Sequence, residues 1–94
     1  MSLMMISYAS VDRIESGKNI VCEVENVPME NRQDDELIET FMTDVDIELF
    51  RKKGLYVHQG DIFSVTHEDG VVTEINQYEY EEKLRRIKKI MDLF

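Results

Sequence analysis

The sequence predicts a small, mainly β domain of the α+β class: a five-stranded antiparallel barrel or curled sheet closed by a C-terminal amphipathic helix. Three observations carry this expectation. Short runs of period-two hydrophobicity recur along the first 77 residues, Gly-bearing turns separate several of them, and the last 16 residues switch to a helical period. With 94 residues and one Pro the chain has room for one domain and one core. Residues 1–4, with the doubled Met4-Met5 behind Met1-Ser2-Leu3, read as a cloning scar, leaving residues 5–94 as the domain.

Residues 6–15 form the first predicted strand, with Tyr8, Ser10, Asp12 and Ile14 alternating with Ala9, Val11 and Arg13. Ser16-Gly17-Lys18-Asn19 supplies a turn, because Gly17 adopts positive φ at no steric cost and Asn19 tolerates it. Residues 20–25 return as the second strand, with Ile20, Cys22 and Val24 on one face and Val21, Glu23 and Glu25 on the other. Pro28 then breaks any ladder, and within residues 26–36 the run 29–35 reads as a polar, mobile loop. Residues 37–43 read as a strand on the alternation of Ile38, Thr40 and Met42 with Leu37, Glu39 and Phe41; the alternative is a short helix capped by Asp34-Asp35-Glu36.

Residues 44–51 predict a single helical turn capped by Asp46 and ended by Gly54. Residues 62–67 give the strongest strand pattern, with Phe63, Val65 and His67 on one face. Asp69-Gly70 is a strong hairpin signal, and residues 71–76 return with Val72 and Glu74 set against Val71, Thr73 and Ile75. Residues 79–94 are the helix. Tyr80, Leu84, Ile87, Met91 and Phe94 step by 4, 3, 4 and 3, which predicts a stripe facing the core, and Ile90 and Leu93 widen it.

The formal charge of −9 is uneven. Residues 78–94 hold five basic and four acidic side chains, which leaves six basic and sixteen acidic ones in the first 77. An acidic body repels phosphate backbones, so nucleic acid is disfavoured as a partner. One cysteine, Cys22, allows no disulfide within the chain; it predicts a buried structural thiol and a cytoplasmic, reducing setting. No apolar run has the length of a membrane span, and the N-terminus lacks the pattern of a signal peptide.

The residues also carry a resemblance. Val11-Asp12-Arg13-Ile14-Glu15, with Gly17 and the apolar Ile20-Val21-Cys22 behind it, resembles the VDRIEG…AVL opening of family 3006 of the bacterial domains of unknown function. Gly60-Asp61-Ile62-Phe63 resembles that family's EGDVL segment, and residues 80–91 resemble its terminal helix rich in Glu, Arg and Lys. The three blocks fall in the family's order. Residues 26–53 depart from it, being longer and lacking its Pro-bearing run. The resemblance implies a small barrel-like domain without an established activity, with an accessory role beside metallo-β-lactamase-fold hydrolases.

No catalytic, cofactor or metal constellation emerges. His58 and His67 are the only histidines, too few for the usual hydrolytic site unless carboxylates join them. Asp44, Asp46 and Glu48 have part of a calcium-loop spacing without its Gly and terminal Glu. The expected function is therefore a non-enzymatic interaction or regulatory module. The alternatives are a small barrel binding single-stranded nucleic acid through Arg51-Lys52-Lys53, the C-terminal cations and Tyr56, Tyr78 and Tyr80, and a metal-dependent enzyme using His58 or His67. The expected contact surface is Lys83, Arg86, Ile90, Leu93 and Phe94, meeting a protein partner or a second copy.

Overall fold

A computed structural model describes residues 3–33 and 37–93. Five strands, β1 (Met5–Glu15), β2 (Asn19–Glu25), β3 (Thr40–Asp46), β4 (Ile62–Glu68) and β5 (Val71–Tyr78), form one antiparallel sheet in the order β3-β2-β1-β4-β5. Edge strands β3 and β5 approach without pairing, so of the two expected forms the curled sheet is the one adopted. A short helix α1 (Glu48–Arg51) and a longer α2 (Tyr80–Met91) complete the fold.

Both tight turns form where the glycines stand. Ser16 and Gly17 have φ of 51° and 70°, and Asp69 and Gly70 have 53° and 80°, which gives the second hairpin the two-residue left-handed turn that matches strand twist. Positive φ at the first turn falls on Ser16 and Gly17, while Asn19 already pairs with Glu15 as part of β2.

The core lies inside the curl. Ala9 and Val11 of β1, Ile20, Cys22 and Val24 of β2, Val45 of β3, Phe63 and Val65 of β4, and Val72 and Ile75 of β5 meet there. Phe50 of α1 drops into this cluster and meets Phe63 edge to face, with ring centroids 5.0 Å apart. The α1 turn is set as its residues dictate. Asp46 Oδ1 accepts the Glu48 amide at 2.9 Å, and Gly54 at φ 71° lets the Leu55 amide reach back to the Phe50 carbonyl.

Three expectations need correction. The third strand runs from Thr40 to Asp46, three residues beyond residues 37–43, because pairing with β2 sets Val45 opposite Ile20 and buries it between exposed Asp44 and Asp46. In β5, Val72 and Ile75 share the core face although they are three apart. Thr73 and Asn76 are extra residues against β4, and each bulge shifts the alternation by one. The loop after Pro28 makes a 3₁₀ turn (Met29–Asn31) and is tied down beyond it by Arg32, whose partly buried side chain bonds Glu25 at 2.7 Å. Asp34, Asp35 and Glu36 lie outside the described residues.

Phe50 joins the curl to the segment that covers it, so Phe50→Ala is expected to cost about 3–5 kcal/mol. Urea unfolding followed by far-UV circular dichroism measures this.

Candidate interaction surface on the C-terminal helix

The helix α2 is where structure and sequence part most. The predicted core stripe points outward: Tyr80 is 55% exposed, Leu84 46%, Ile87 43% and Met91 67%. Ile90 and Leu93, expected at the surface, are also exposed, and Phe94 lies outside the described residues. The inward side carries Glu82, the one buried residue of the helix. An α-helix places residue 82 about 160° away from residues 80 and 84 alike, so a helix docked through Glu82 must turn its apolar stripe away.

The reason is the surface it lands on. The concave face of the sheet is filled without α2. The outer face, by contrast, presents Tyr8, Ser10 and Ser64, with Ile62 among them and Glu25 at the end of β2. Charge meets charge there. Arg86 Nε donates to Glu82 at 3.0 Å, and Arg86 also pairs with Glu25 at 3.1 Å. Arg85 grips Glu82 through both ends of its guanidinium. Arg32 stands between Glu25 and Glu82, at 2.7 Å and 3.9 Å. The guanidinium carbons of Arg32 and Arg86 lie 5.9 Å and 5.4 Å from the centre of the Tyr8 ring. Burial raises the Tyr8 hydroxyl above its ordinary pKa, and the charges of Glu82 and Glu79 add to that.

Two of the predicted surface cations therefore work inward. Arg86 belongs to this ionic cluster, and Lys83 bonds Asp61 at 2.8 Å, which raises the pKa of its ammonium. Asp61 is buried and also accepts the His58 amide at 2.9 Å and the Tyr78 hydroxyl at 3.4 Å. These groups line a shallow cleft of about 410 Å³ with Gly54, Leu55 and Tyr56. Arg51 and Lys53, two further cations of the nucleic-acid alternative, pair with Glu48 and Glu74.

The histidines are set apart. His58 is at the surface, whereas His67 is 3% exposed on β4. Ser7 Oγ gives its proton to the Val27 carbonyl at 2.7 Å, so at 2.9 Å it must accept one from His67 Nε2. This puts a proton on His67 Nε2, and burial lowers the pKa of the ring, which disfavours its charged form. Among the described residues, no three His, Cys, Asp or Glu side chains come together as a metal site. Cys22 is buried in the core, and burial pushes its thiol up to about 12. Among the described residues, no helix is long and apolar enough to cross a membrane.

No family model, curated protein or solved structure matches this chain.

Two measurements check the orientation of α2. Leu84→Ala should change stability by less than about 0.5 kcal/mol in dilute solution, as an exposed site does. Glu82→Gln should cost about 2–3 kcal/mol, the low side for breaking a buried ionic contact, because Glu25 still serves Arg32 and Arg86. Urea titrations of both variants give the comparison.

Acid should act through the same carboxylate. Burial alone would raise the pKa of Glu82, but hydrogen bonds and charge from Arg85 and Arg86 outweigh it and hold it below the ordinary 4.5. Its folded-state pKa is thus depressed, so its contribution is complete above about pH 4.5 and is lost as pH falls through the lower folded value. Midpoints measured between pH 6 and pH 3 should fall less for Glu82→Gln than for the parent chain.

Proposed function

We propose that this protein is a non-enzymatic interaction module, with an accessory or regulatory role, that makes contact through the outward face of α2. One observation carries this reading. A helix with an apolar stripe of Tyr80, Leu84, Ile87 and Met91 spends its charged face on its own domain and leaves the stripe to solvent. Exposed apolar surface is costly to keep, and a contiguous patch of it marks a contact site. Ile90 and Leu93 extend the patch toward the C-terminal end.

The rest of the chain supports binding rather than chemistry. Asp61 has its carboxylate occupied by Lys83, Tyr78 and a backbone amide, and Ser7 and His67 are locked to each other and to Val27. Both arrangements serve as struts between elements. A single buried thiol suits a reducing compartment, and we place the module in the cytoplasm. The resemblance to family 3006 of the bacterial domains of unknown function adds a hydrolase of the metallo-β-lactamase fold as a candidate neighbour in the cell.

A photo-crosslinking residue at position 87, introduced into the chain in its native host, tests this. Position 87 should yield a discrete protein adduct, to itself or to another chain, while the same residue at exposed Glu23 on the sheet should not. Absence of any adduct at 87 would remove the reading.

A further inference from the structure

We infer that the occupant of the α2 face is the α2 of a second copy of this chain, packed antiparallel about a two-fold axis. This inference rests on the preceding reading of α2 as the contact surface and names its partner.

The spacing comes first. Steps of 4, 3 and 4 from Tyr80 through Leu84 and Ile87 to Met91 are those of a heptad seam, in which Leu84 and Met91 take a positions and Tyr80 and Ile87 take d positions. All four are exposed and lie on one line along the helix. An antiparallel pair sets each a residue across from a d residue. Leu84 then meets the partner's Ile87, and Tyr80 meets the partner's Met91. Because 84 and 87 are centred on the same point as 80 and 91, one axis between residues 85 and 86 satisfies every layer at once. The outer layers are Tyr–Met, a combination with favourable sulfur–aromatic contact.

Charge then chooses the direction. The residues flanking the seam are Glu81 and Lys88 on one side and Lys83 and Ile90 on the other. In the antiparallel pair, like flanks meet, so Glu81 faces the partner's Lys88 and Lys88 faces the partner's Glu81. Lys83, whose ammonium is held by Asp61, lays its methylene stem toward the partner's Ile90. A parallel pair would instead set Lys83 against the partner's Lys88 twice. Opposite charges at seam flanks stabilise and like charges destabilise, so the same residues favour one direction and oppose the other.

Placement of the acidic bodies agrees. Each domain holds α2 by Glu82 and Arg86, on the side away from the seam. Two helices joined by their stripes therefore keep the two acid-rich sheets on opposite sides of the pair, where their repulsion is weakest. The seam spans only about three turns, less than a standard interface needs, so the dimer forms at micromolar concentrations rather than obligately.

Sedimentation of the full chain from about 5 to about 500 µM, in moderate salt, tests this. A monomer–dimer equilibrium is expected, and Ile87→Asp should abolish it while leaving the urea midpoint of the monomer unchanged. Glu81→Lys and Lys88→Glu should each weaken dimerisation about tenfold, and the double variant should recover it, since each single change turns two attractive contacts repulsive. A wild-type monomer throughout the range overturns the inference. So does tighter association by Lys88→Glu, the result a parallel pair would give. If the chain stays monomeric while position 87 crosslinks to a different protein in the cell, the second copy is excluded and the interaction module stands. A monomer with no adduct overturns both.

Discussion

The ion cluster on the outer face of the sheet decides what kind of surface this protein shows. Glu25, Arg32, Glu82 and Arg86 come from the second strand, the loop after it and the last helix, and they meet over the ring of Tyr8. None of the four would be left half-buried without the others, because a desolvated charge without a partner costs several kcal/mol. Their mutual satisfaction fixes the rotation of α2. Once Glu82 points down, geometry alone sends Tyr80, Leu84, Ile87 and Met91 up.

The division of labour between the faces of the sheet makes this possible. The concave face is closed by α1 and Phe50 together with Ile47, Leu49, Leu55 and Val57. The core cluster there is complete without α2. Against a polar outer face, an apolar stripe would bury Ser10 and Glu25 without a partner on the helix, whereas Arg86 of the charged side reaches both. The helix is thus held by polar contacts that are specific in geometry, and its apolar side is left exposed.

Local signals in the chain were legible wherever one or two residues dictate backbone geometry. Asp69-Gly70 made a two-residue turn, Gly54 closed the turn that follows α1, and Asp46 accepted the Glu48 amide one residue ahead of the N-cap Ile47, each for reasons that involve no distant residue. Period-two patterning found Ile20, Cys22 and Val24, and Phe63 and Val65, on the buried face. It failed in β5 because bulges at Thr73 and Asn76 reset the alternation, and it placed β3 too early because Val45 is drawn inward by Ile20 across the ladder. The signal that α2 would dock by charge was present in one respect: Glu82, Arg85 and Arg86 form a compact acid–base group on one side of the helix. Its complement, Glu25 and Arg32, lies more than 49 residues away and belongs to no local pattern.

What the sequence determined by itself, then, is a five-stranded antiparallel sheet with an amphipathic C-terminal helix, because turn chemistry and hydrophobic period act over a few residues. Which face of that helix meets the sheet was decided by the tertiary structure alone. Amphipathicity states that a helix has two unlike sides; it does not state which of them the rest of the chain can satisfy. Here the body had its core complete and an ionic socket waiting, so the apolar side that patterning assigned to the interior was left facing solvent.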